Sequence, residues 1–278
     1  MPPINVSIIN ASTVLTDDQL QPVVDALRVQ VQRDFQPAWG IGATLTFVPS
    51  GGTPDPTNWW LTVLDNSDHA AALGYHDRTS AGLPQGKVFA ASDLSRGHSW
   101  TVTVSHELLE MLADPDVTLT TFVQSNAHSV RLYAYEIADP CEADQFGYDI
   151  DGTTVSDFVF PSWFESFWAA GATQFDQRAL ISAPLTVLPG GYASVFDLSA
   201  GTGWSQIFGH QAGAAELDYS YSMRAHLGSR RERRRTPRDQ WLASLQHEHI
   251  LENARRLSTR GIPAAGAVVR PSTGRTIP

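Results

Sequence analysis

The stretch Trp100–Pro115, WTVTVSHELLEMLADP, constrains this chain more than any other. Its first five residues alternate large apolar and threonine side chains, which predicts a short strand at Trp100–Val104. Ser105 then stands where the N-cap of a helix is expected, and Pro115 stops that helix. On a helix, residues i and i+4 share one face about 6 Å apart along the axis. His106 and Glu110 have that spacing, so both can reach one metal ion. Glu107 follows His106 directly, where it could take a proton from a metal-bound water.

This is the logic of the HExxH metallopeptidases, with Glu110 standing where those enzymes have a second histidine. A third ligand must come from elsewhere. Asp114 continues the row, but eight helical residues cover about 12 Å, too far to share one ion. Asp116, ten residues after His106, lies past the helix end, where metzincins place a third ligand; Ala113 stands where those enzymes use glycine. The segment Tyr135-Glu-Ile-Ala-Asp-Pro-Cys141 offers Glu136 and Asp139, a spacing of the gluzincin kind.

The blocks HELLEMLADP and EIADPC together resemble the HELxE, DP and EIxDxC signature of exordium-like (phosphate-induced) plant proteins and zincin-like bacterial relatives. The matching positions are His106, Glu107, Leu108, Glu110, Asp114, Pro115, Glu136, Ile137, Asp139 and Cys141, and the similarity covers about residues 60–150. The resemblance implies a zincin-like metal-site fold and prefers Glu136 and Asp139 over Asp116 as further ligands. It implies little about a reaction.

One imidazole with two or three carboxylates is a hard ligand set. Zinc accepts it, and calcium or manganese would also suit it. A more anionic site makes zinc a weaker Lewis acid, so slow hydrolysis or none is expected. Two functions stay open: a zincin-type metallopeptidase with Glu107 as base, or a non-catalytic zincin-fold binding or assembly protein with a structural ion. His76, in Gly-Tyr-His-Asp, falls where zincins keep the edge strand that binds substrate backbone, and is a candidate substrate contact.

Upstream, Asn5–Ile9 reads as a strand. Thr16-Asp-Asp-Gln19 reads as a capping box opening a helix of about five turns, with Leu20, Val23, Val24, Leu27, Val31 and Phe35 at helical spacing. Ala43–Pro49, Trp59–Leu64, Leu73–His76 and Lys87–Ala91 read as strands. A strand–helix–strands unit before a metal helix is the zincin order. Downstream, the first half of Ser129–Ile137 is strand-like, and Tyr148–Val155 is a hairpin turning at Asp151-Gly152 rather than a calcium loop. Leu185–Leu188, Tyr192–Leu198 and Trp204–Phe208 suggest a meander. Phe158, Phe160, Trp163, Phe164, Phe167 and Trp168 are expected in a core, and Cys141 as a buried thiol.

Charge divides the chain. Residues 1–223 hold 7 basic and 25 acidic side chains, whereas residues 224–278 hold 12 arginines and 4 acids. The expected architecture is therefore α+β: a zincin-like domain over residues 1–225, its metal-site core at about 1–150 and an aromatic, β-rich part at 151–225. An Arg-rich extension over 226–278 follows, with one helix opened by Thr236-Pro237 and a disordered end. The run Arg230–Thr236 would suit an acidic partner, nucleic acid or the acidic body itself, without sequence-specific readout. No apolar run approaches the roughly 20 residues needed to span a bilayer. The start MPPINVSIIN lacks a basic n-region, which predicts a cytoplasmic chain or one exported without a standard signal peptide. One cysteine excludes an internal disulfide framework.

Overall fold

A computed structural model describes residues 3–68, 73–79, 82–126, 129–165, 168–199 and 203–209. The architecture is α+β, a mixed sheet with several helices and a separate β-rich region. The proposed boundary near residue 225, the arginine run, the C-terminal helix and the disordered end lie outside the described residues, as does Phe167.

The first sheet has the order β2-β1-β3-β5-β4. Its strands are β1 Ile4–Asn10, β2 Ala43–Val48, β3 Trp59–Leu64, β4 Gly74–Arg78 and β5 Pro84–Phe89. The first four in that order run parallel, and β4 lies antiparallel to β5 with His76 opposite Gly86. Parallel strands need crossovers, and α1 (Asp17–Val29) supplies the one between β1 and β2. Its capping box forms as expected: Thr16 accepts from the Gln19 N–H, and the Gln19 side chain accepts from the Thr16 N–H. The helical path continues through a π-type segment, Gln30–Phe35, into the short α2, Gln36–Trp39. Leu20, Val23, Val24, Leu27, Val31 and Phe35 are all buried, which is the face their spacing predicts.

Ala90 does not extend β5. It opens α3, Ala90–Arg96, which ends on Gly97 in the left-handed conformation. The expected strand at Trp100–Val104 is also corrected, because these residues form the first turns of α4, Trp100–Ala113, with Ser99 at the N-cap position. Alternation of Val and Thr fits a strand, but helix propensities of β-branched residues fall only about 0.7 kcal/mol or less below alanine's. Burying Val102 and Val104 outweighs that. Ser105 is an interior tie rather than a cap: its hydroxyl donates to Gln30 Oε1 and accepts from the Ser156 N–H.

A second sheet has the order β11-β10-β7-β6, built from β6 Thr120–Asn126, β7 Ser129–Ala134, β10 Tyr192–Asp197 and β11 Gly203–Phe208. Leu185–Leu188 is not a strand of it. The hairpin of β8 (Tyr148–Ile150) and β9 (Thr153–Val155) turns at Asp151-Gly152, both at positive φ, as the two-residue turn requires. β9 packs against both α1 and α4. Phe158, Trp163 and Phe164 are buried in the core, while Trp168 is 45% exposed. Among the described residues, no helix is long and apolar enough to cross a membrane.

Candidate metal centre

From Val104 to Ala113 every residue of α4 is buried, so the helix runs through the interior rather than over the surface. A helix surrounded on all sides is expected to be apolar all round. This one carries His106, Glu107 and Glu110 at 7%, 4% and 0% exposure. Such groups are costly to bury unless their charge is met locally. What meets it comes from two other parts of the chain.

The edge strand β4 brings in the first. Alternation sends the side chains of positions 74 and 76 to the same face, and this face meets α4. Position 74 is glycine, and a Cβ there would lie 2.7 Å from the Glu107 side chain. Gly86, opposite His76, is equally confined: a Cβ would come within 2.5 Å of Leu61 and 3.9 Å of the Glu107 Cβ. The two glycines make room for Glu107, and His76 then reaches past it. His76 Nδ1 lies 3.6 Å from Glu107 Oε2 and 3.6 Å from Glu110 Oε2, and its Nε2 lies 3.8 Å from Glu136 Oε2.

The second contribution is the loop that leaves β7. Glu136 and Ile137 are followed by a 3-10 turn, Asp139–Cys141. The Val159 N–H donates to the Ile137 carbonyl and the Leu188 N–H to that of Pro140, fixing the loop against the second sheet's surroundings. Gly191 permits the close approach, since a Cβ there would sit 2.6 Å from the Pro140 oxygen. Glu110 holds the loop from the helix side, its Oε1 accepting from the N–H groups of Ala138 and Asp139 at 3.3 and 3.4 Å. Its other oxygen, Oε2, lies 3.3 Å from His106 Nε2, and His106 Nε2 is also 3.3 Å from Asp139 Oδ1.

These separations suit a metal. Donors bound at 2.0–2.2 Å around a four-coordinate ion stand about 3.3–3.6 Å apart, whereas a direct hydrogen bond prefers about 2.7–3.2 Å. Among the described residues, two groups of donor atoms have the compactness to hold an ion: His106, Glu110 and Asp139, and His76, Glu110 and Glu136. Burial opposes protonation of His106, yet Glu110 and Asp139, with Glu107 nearby, hold its pKa well above the ordinary imidazole value. A field that favours an imidazolium there equally favours a cation. Glu142 at the rim is pushed up to about 8, by burial first and then by Asp139.

Of the residues singled out in the sequence, His106, Glu107, Glu110, Glu136 and Asp139 converge. Asp116 is placed elsewhere: it is a half-exposed partner of Arg78 Nη1 at 2.9 Å, because the chain turns away after Asp114. Asp114 itself orders that turn, accepting from the N–H groups of Thr118 and Leu119. His98 sits at the surface beside Asp144. The position of His76 within the metal cluster was not foreseen, since only sheet pairing brings β4 to α4. Cys141 is buried, with its thiol pKa raised well above the ordinary value by burial and the acids around it.

Against models of known protein families, curated proteins and solved structures, the chain matches none.

Proposed function

We propose that this chain is a metal-dependent hydrolase of the zincin type, peptidase-like in substrate. The observation that carries this reading is His106 Nε2 at 3.3 Å from both Glu110 and Asp139, with Glu107 adjoining in the same buried space. The order of elements supports it: a strand, a helix and further strands precede α4, and β4 forms an antiparallel edge beside it. That is the arrangement expected of a zincin.

In this reading His106, Glu110 and Asp139 would hold the ion, zinc or alternatively manganese or calcium, which would supply Lewis acidity. Glu107 would act as the general base, taking a proton from water and giving it to the leaving amine. Its carboxylate is kept in place by the space that Gly74 and Gly86 leave. The backbone of β4, one of the sheet's two edges among the described residues, would align an extended peptide by strand addition.

The test is Glu107→Gln assayed against a mixed peptide library alongside the metal content. Unchanged metal with hydrolysis reduced at least 100-fold is expected; full activity in the variant removes Glu107 as base. The depth of burial favours a second reading, in which the ion is structural and the protein binds or assembles. Its basic segment 226–278 would then contact an acidic partner or nucleic acid. Metal retention with no hydrolysis by the unmutated protein would select it.

A further inference from the structure

We propose that the buried centre takes two divalent cations bridged by Glu110, the second held by His76 and Glu136. The inference rests on the reading above, in which His106, Glu110 and Asp139 hold the first. Three observations support the second position.

The first is a division of labour within Glu110. Oε1 accepts from two backbone N–H groups, while Oε2 lies 3.3 Å from His106 Nε2 and 3.6 Å from His76 Nδ1. One oxygen between two imidazoles is the geometry of a bridging ligand. Two-metal hydrolytic centres hold their ions about 3.5–4 Å apart, a span that one carboxylate bridges.

The second is that the remaining ligands separate into two non-overlapping sets. Asp139 pairs with His106 and Glu136 with His76, and with Glu110 each set offers one ligand atom per residue, all within 4.8 Å of one another. A single ion bound by His106, Glu110 and Asp139 would leave His76 and Glu136 facing each other at 3.8 Å as a second, equally buried set.

The third is charge. Glu107, Glu110, Glu136 and Asp139 are all 4% exposed or less. Against these four carboxylates, one divalent ion with neutral imidazoles leaves two negative charges in the interior, and two divalent ions leave none. Glu107 lies 3.6 Å from His76 Nδ1, so the proposed base adjoins the second position as well as the first.

The experiment uses the full-length chain, stripped with chelator, reloaded with Mn2+ and dialysed. Elemental analysis should give about two Mn2+ per chain, and the frozen electron paramagnetic resonance spectrum should show exchange-coupled ions. His76→Ala should halve the stoichiometry and leave the spectrum of isolated ions. One Mn2+ per chain with an isolated-ion spectrum in the unmutated protein overturns the second position and leaves the first reading standing. No bound Mn2+ overturns both. Because the spectrum of the unmutated protein decides the matter alone, the test survives a His76→Ala chain that does not fold.

Discussion

Two groups of buried carboxylates in this molecule answer the same electrostatic problem differently. Around α4, Glu107, Glu110, Glu136 and Asp139 are gathered with two imidazoles at separations of 3.3–3.8 Å. Further along the chain, Asp157 and Asp176 are fully buried, and no group of described metal-ligating residues includes them. There Asp157 Oδ1 accepts from the N–H groups of Phe158 and Arg178, and Asp176 accepts from those of Leu180 and Ile181. Burial, and then the neighbouring Asp176, push the Asp157 carboxyl up to about 8. At the aspartate pair, burial and the neighbouring Asp176 favour the protonated form of Asp157, and backbone N–H groups meet both side chains. The centre on α4 has more carboxylates and nitrogen donors at ligand spacing, and a proton alone does not balance it. The difference teaches that imidazoles at ligand spacing, rather than buried acids as such, mark the place for a metal.

The largest expected effect separates the two groups by chelation. A ligand at about 1,000 times its Kd stabilises by about 4 kcal/mol, so removing the metal should lower the melting temperature by roughly ten degrees. An unchanged melting curve with chelator would place the α4 centre on the same footing as the aspartate pair.

The next effect belongs to the pair. With its carboxyl pushed up to about 8, the folded Asp157 keeps its proton where an unfolded aspartate, with its ordinary value of 3.8, has lost it. Between those pH values the folded state binds more protons, so stability should fall as pH rises through that window. Asp157→Asn should flatten this slope and gain on the order of 2 kcal/mol above pH 8, with metal content unchanged. Denaturant melts of both proteins across pH 5–9, run at constant chelator, measure it; parallel slopes would mean that the folded Asp157 does not hold its proton across that range.

The smallest effect checks the edge of the centre. Asp116→Asn removes only a half-exposed partner of Arg78, so a loss of about 1 kcal/mol or less and full metal content are expected. A halved metal content would return Asp116 to the ligand set.

Much of this was legible in the chain. β3, the Thr16 capping box and the Asp151-Gly152 turn rest on local chemistry, which a sequence displays directly. The same holds for His106, Glu107 and Glu110, whose relation is fixed by 3.6 residues per turn. Trp100–Val104 misled because a period of two over five residues is a weak signal, and packing against the sheet overrode it. α3 went unseen for a related reason: it begins directly where β5 ends.

By itself, then, the sequence determined that His106, Glu107 and Glu110 stand together on one helix, since spacing within one helix is a local property. Only the tertiary structure decided how those side chains are shared. His76 faces α4 because β4 pairs antiparallel with β5. Asp139 meets His106 because the turn after β7 hangs from Glu110 by two N–H groups, while Glu136 meets His76. Contacts between residues 30 or more positions apart depend on sheet order and loop closure, and no periodicity along the chain encodes those.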